Sequence, residues 1–161
     1  MINIFIIIGD KMETKQIDEF KVVGIEIETT VETCKDVMGK LWGDFLAKMS
    51  DIKNITGDKM YGVCTTTGEC SFKYVAGIKV SEFEDVPGGM VSQTVAVDKF
   101  LEFKHVGTAQ SMGETYNRIM EKDLPESNFK EKKIWIEEYG KDYNPESETA
   151  EMKIMVAVEE K

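Results

Sequence analysis

Apolar positions along the chain follow two different periods. Between Phe20 and Thr29, Val23, Ile25 and Ile27 fall on every second residue, which predicts a strand with those three on one face. Val37, Met38, Leu41, Trp42, Phe45 and Met49 then recur three or four apart. That spacing predicts an amphipathic helix over 34–49, with Thr33 at its N-cap and Asp36 in the first turn. Residues 54–58 read as a loop and Met60–Thr65 as a short strand. After the turn Thr66-Thr67-Gly68-Glu69, alternation returns at Phe72, Tyr74, Ala76, Ile78 and Val80, so the two strands form a hairpin.

The same order follows the break at Pro87-Gly88-Gly89. Strands are predicted at Val91–Val97 and Phe100–His105. A helix carries Ala109, Met112, Tyr116, Ile119 and Met120 on one face, with Ser111 and Glu114 at capping-box spacing and Pro125 just beyond it. Ile134–Tyr139 is a strand, Gly140–Thr149 a polar loop, and Met152, Ile154, Val156 and Val158 mark the last strand. The pattern is β-α-β-β twice, which predicts an α+β domain over 15–161 with pseudo-repeats 15–82 and 83–161. The two units would share one antiparallel sheet, with both helices on one face and a central ligand groove between them. Residues 1–14 are expected to be peripheral. Met1–Ile8 is apolar, but it is too short for a membrane span and lacks the flanks of a signal peptide. It reads equally as residues upstream of an alternative start at Met12 or as an extra edge strand.

Composition narrows the function classes. With 161 residues, the chain is long enough for one domain with its own core. Its 20 basic and 30 acidic residues give a net charge of −10, a poor match for phosphate backbones, so no direct nucleic-acid binding is expected. Cys34, Cys64 and Cys70 are odd in number and form no CxxC pair. They fit a reducing, cytoplasmic setting rather than a disulfide framework or a zinc cage. With a single histidine, His105, neither a metal site nor a cofactor is expected.

The strand Trp135-Ile136-Glu137-Glu138-Tyr139 carries the candidate chemistry. Alternation puts Trp135, Glu137 and Tyr139 on one face, and a carboxylate between two aromatic rings can receive a cation. An exposed acid on a solvated face would give the same pattern. Trp42, Phe45 and Tyr116 lie on the apolar faces of the two helices, where they would wall the groove if they are not ordinary core. Tyr61, Tyr74 or Glu137 would form its floor. Ten methionines would suit an adaptable lining.

Taken in order, Phe20-Lys21-Val22-Val23-Gly24-Ile25, Leu41-Trp42-Gly43-Asp44-Phe45, Tyr61-Gly62-Val63, Phe72-Lys73-Tyr74-Val75-Ala76-Gly77-Ile78, Val86-Pro87-Gly88-Gly89-Met90, Phe100-Leu101-Glu102-Phe103-Lys104-His105-Val106-Gly107, Glu137-Glu138-Tyr139 and Glu151-Met152-Lys153-Ile154-Met155-Val156 resemble the GyrI-like effector-binding domain of AraC-type and MerR-type drug-sensing regulators. The resemblance implies the duplicated fold and a groove for lipophilic, often cationic, small molecules. It implies that Glu137 is the acid of the site, Tyr139 its aromatic partner and Trp42 a pocket wall. It also implies a standalone form, without the DNA-binding domain of the regulators. A buried Glu137 should then be hydrogen-bonded or partly protonated when the site is empty. Three functions stay open. The domain could be a sensor or sink for such ligands. It could be a hydrolase of reactive electrophiles, with Glu137 activating water and Tyr139, Tyr61 or Tyr116 assisting. It could also be an interaction module for a regulator or for gyrase. Monomer and homodimer both fit.

Overall fold

A computed structural model describes residues 13–161, so both readings of Met1–Ile8 lie outside the described residues. The chain runs β1 (Lys15–Ile17), β2 (Phe20–Thr30), α1 (Cys34–Lys48), β3 (Ile55–Thr66), β4 (Ser71–Val80), β5 (Val91–Val95), β6 (Asp98–Val106), α2 (Met112–Arg118), β7 (Phe129–Tyr139) and β8 (Glu151–Glu160). The eight strands form one antiparallel sheet in the order β1-β6-β8-β7-β3-β4-β2-β5. Each β-α-β-β unit forms one half, and β3 and β7 make the central seam. The short leading strands are exchanged: β1 pairs with β6 of the second unit, and β5 pairs with β2 of the first. Only two residues separate β1 from β2, and two separate β5 from β6. The sheet therefore curls until its distant strands meet, with Phe20 of β2 and Phe100 of β6 in one core.

Both helices cover the same face. Leu41 and Phe45 of α1 pack on Val23, Tyr74, Ala76 and Ile78. Ile119 and Leu124, where the helix continues past Arg118, pack on Leu101, Trp135, Ile154 and Val156. Trp42, Met60 and Cys64 touch both clusters and join them over the seam. The other face is the inside of the curl, filled by Val22, Tyr61, Val63, Val75, Ile136 and Met155.

Three local expectations are corrected. Of the segment read as a loop at 54–58, residues 55–58 belong to β3, where the ladder shifts register between Ile55 and Met60 and Gly57 has φ 78°. The bulge interrupts the alternation on which a strand assignment depends. At the second helix, the Thr108 hydroxyl accepts from Ser111 N at 3.2 Å, while the Ser111 side chain makes no cap bond. The turn it caps, Ala109–Ser111, precedes α2, so the cap lies one turn earlier than the Ser111–Glu114 spacing predicts. Pro125 stands inside the helix rather than beyond it, because α2 widens to a π-helical stretch at Ile119–Asp123 and ends in the turn Leu124–Glu126. A proline ring in a regular helix meets the carbonyl four residues back, here that of Glu121, and the widened stretch includes that residue.

Candidate functional site

Glu137 lies in the middle of the sheet, opposite Gly62 on β3 and Ile154 on β8. Its side chain points toward the helices and is 7% exposed. Gly62 makes this possible. A Cβ there would overlap the Tyr74 hydroxyl and stand 2.8 Å from Glu137 Oε1. The absent side chain lets Tyr74 lean across β3 from β4, and Tyr74 Oη donates to Glu137 Oε1 at 2.6 Å. Tyr139, two residues along β7, donates to the same oxygen at 2.7 Å. Tyr116 comes from α2 and donates to Oε2. Trp42 of α1 completes the shell, its Nε1 donating to Tyr74 Oη at 3.1 Å.

All three phenols stay neutral donors. Burial raises the hydroxyls of Tyr74, Tyr116 and Tyr139 well above the ordinary 10.0, and the negative charge of Glu137 adds to the effect. No basic side chain pairs with Glu137 among the described residues. The carboxylate is thus solvated by protein hydroxyls while its charge has no counterpart.

The aromatic rings hold one another in place. Trp42 meets Tyr139 edge-on at 5.4 Å between centroids and Phe45 at 5.8 Å. Tyr116 stacks on Trp135 at 5.4 Å and 24°, and Trp135 Nε1 donates to Glu131 Oε2 at 2.6 Å. Buried His105 anchors the helix that carries Tyr116. Its Nδ1 lies 2.7 Å from the hydroxyl of Thr115, next to Tyr116 in sequence, and its Nε2 lies 3.0 Å from the Thr108 carbonyl. Only a ring nitrogen bearing hydrogen can bond a carbonyl, so in the neutral ring Nε2 carries it and Thr115 donates to Nδ1.

Seven of the eight residues proposed for the site converge: Glu137, Tyr139, Trp42, Trp135, Phe45, Tyr116 and Tyr74. Phe45 is fully buried under Trp42 and supports the wall from behind. Tyr61 does not join them. It precedes Gly62 in β3, so its side chain points to the opposite face and packs on Phe20 at 5.2 Å. Three residues of the site were not anticipated. Gly62 has the most legible signal, a glycine inside a strand, which marks a close approach. Cys64 shares its strand face and sits close enough for Glu137 to raise its thiol pKa, after burial as the larger cause. Tyr143 lies in the loop after β7, where no period identifies it, and packs on Tyr139 at 4.7 Å. A cavity of about 490 Å³ borders the site at Tyr143, and one of about 330 Å³ lies on the opposite face, at Tyr61 and Phe100.

Residues 13–158 match the family of integron-associated effector binding proteins. The chain belongs to this family. It is also 33% identical over 114 residues to the transcriptional regulator BrlR of Pseudomonas aeruginosa, covering 70% of this chain and 42% of the regulator. The chain thus spans less than half the length of that relative. Among solved structures, SAV2435 bound to tetraphenylphosphonium superposes with a TM-score of 0.71 at 17% identity, over 92% of this chain and 94% of the other. The Vibrio cholerae integron cassette protein Cass2 gives 0.65 at 19% identity, over 93% and 97%. At those identities the superpositions establish a common fold. The chain is thus an effector-binding domain, with Glu137 and the aromatic rings around it on the seam between β3 and β7. No helix among the described residues is long and apolar enough to cross a membrane.

Proposed function

We propose that the domain binds lipophilic cations, with Glu137 as the counter-charge and Trp42, Tyr74, Tyr116, Trp135 and Tyr139 as the stacking surface, and that occupancy is the signal it passes to a regulatory partner in the cytoplasm. One observation carries the reading: a carboxylate 7% exposed is held only by neutral phenols. Removing a charge from water is expensive, and hydroxyl donors offset only part of that cost. A cation entering the box supplies the missing charge, and each ring face adds roughly 0.5–2 kcal/mol in a desolvated site. An anion of the same shape meets the carboxylate with its own charge. The likeness to a regulator and to a protein holding tetraphenylphosphonium supports the same reading.

The test uses two ligands of nearly one shape and opposite charge, tetraphenylphosphonium and tetraphenylborate. Each is titrated against tryptophan fluorescence, since Trp42 and Trp135 both stand in the box. Saturable binding of the phosphonium, with none of the borate, is expected. Equal binding of both, or of neither, overturns the role given to Glu137.

A further inference from the structure

The cavity of about 490 Å³ lies outside the aromatic box and is formed by the segment that joins β7 to β8, together with Glu151 at the start of β8. Lys141, Asp142, Tyr143, Asn144, Thr149 and Ala150 are among its lining residues. Tyr143 is the contact between this cavity and the site. One side of it borders the cavity, and its ring packs on Tyr139, whose hydroxyl bonds Glu137. The Tyr143 hydroxyl is also the one buried side-chain polar atom without a hydrogen-bond partner among the described residues. Such orphans are rare in native folds, and each calls for a reason. The segment itself is tied to the loop ahead of α2 at two points, Gly107 N to the Ala150 carbonyl and Ala109 N to the Pro145 carbonyl, each 2.8 Å. Tyr143 lies between its attachment to β7 and the Pro145 tie.

We propose that ligands enter through this cavity, with Tyr143 as the gate side chain, and that on entry its ring swings off Tyr139 to join the wall around the ligand while its hydroxyl gains a partner. The inference rests on the cation-binding reading for its ligand class, but the route itself is open to a probe that needs no cation.

That probe is N-ethylmaleimide. Cys64 lies within the site and is partly buried, whereas Cys70 is exposed, so a change in the labelling rate of Cys64 relative to Cys70 in one molecule reports a change in access to the site. In the ligand-free protein, Tyr143→Ala should raise this ratio about tenfold, as the loss of a gating side chain does, and Tyr143→Phe should leave it unchanged because the ring remains. Phe100→Leu loosens the opposite face and should also leave it unchanged. An unchanged ratio in Tyr143→Ala overturns the route. So does an equal rise in Phe100→Leu, which would mean general loosening. In stopped-flow mixing, Tyr143→Ala should take up tetraphenylphosphonium about tenfold faster. Should the wild type bind no phosphonium, the cation reading falls, and the labelling ratios still decide the route.

Discussion

On one face of β7, Glu137 meets three tyrosine hydroxyls; on the other, Glu138 meets Lys59 at 3.0 Å, and burial together with the Glu138 charge raises Tyr61. The two acids are adjacent in sequence, and both lie within reach of tyrosine. Glu138 is neutralised by a lysine whose side chain is half exposed, at 49%. Such a pair contributes little to stability and leaves nothing for a ligand to supply. Glu137 is deeper and has no such partner among the described residues. The difference shows that a carboxylate becomes a receptor through the kind of partner it is given. Phenols hold it in place and leave its charge available, whereas a lysine holds it and cancels the charge.

The largest effect should come from exchanging each acid for its neutral amide. Glu137→Gln is expected to weaken tetraphenylphosphonium binding about a hundredfold, or about 2.8 kcal/mol, toward the low end of the ~2–5 kcal/mol lost when one member of a buried charge pair is removed. Glu138→Gln should leave the affinity unchanged. Isothermal titration of both variants checks this. If the two lose affinity equally, the cation feels the acidic strand as a whole and the contrast between the faces fails.

The next effect concerns Gly62, which gives Glu137 and Tyr74 their room. Gly62→Ala should cost about 1–3 kcal/mol of stability, the usual range for overpacking a filled interior, because its methyl meets Tyr74 and the carboxylate. Gly39→Ala is the control. Gly39 sits in α1 with nothing within 4 Å of an added Cβ, so the change should stabilise by about 0.5–1 kcal/mol through helix propensity. Urea unfolding of both variants tests this. A neutral Gly62→Ala would mean that the Glu137 socket does not depend on the missing side chain.

How much of this was legible follows from the physics of each element. Periods of two and of three to four fixed β2, α1, β4 and the sheet with both helices on one face, because burial on one side writes itself into spacing. The same alternation put Trp135, Glu137 and Tyr139 together, since all three lie on one strand. It failed for Tyr61. Which face of β3 matches which face of β7 depends on register between strands, and Gly62 rather than Tyr61 is opposite Glu137. The exchange of β1 and β5 was hidden for a similar reason. Three- and five-residue strands carry too little pattern, and pairing across repeats leaves no local mark. Tyr143 had no signal at all, because its position is set by a loop tied to distant backbone atoms. Likeness to the GyrI-like domain supplied what periodicity could not, namely that Glu137 is buried.

The smallest effect appears only in alkali, and it separates the two faces by spectroscopy. All five tyrosines have hydroxyls raised from the ordinary 10.0, Tyr61 to about 12 and the three around Glu137 well above 10.0. Burial is the larger cause on each face. The nearby charge is Glu138 for Tyr61 and Glu137 for the cluster. Below pH ~10 the phenols are protonated in the folded and the unfolded chain alike, so they add no pH dependence to stability there. Above that pH the unfolded chain releases their protons first, which favours unfolding, and stability falls as pH rises toward the folded values. Ultraviolet titration of the folded protein should therefore show no tyrosine ionising at the ordinary phenol value. Tyr61 should ionise at about 12, with the cluster following only as the protein opens. Glu138→Gln should bring Tyr61 down and leave the cluster, while Glu137→Gln should do the reverse. If either amide shifts both groups together, the sheet does not insulate its two faces, and the charge of Glu137 is not confined to the box that surrounds it.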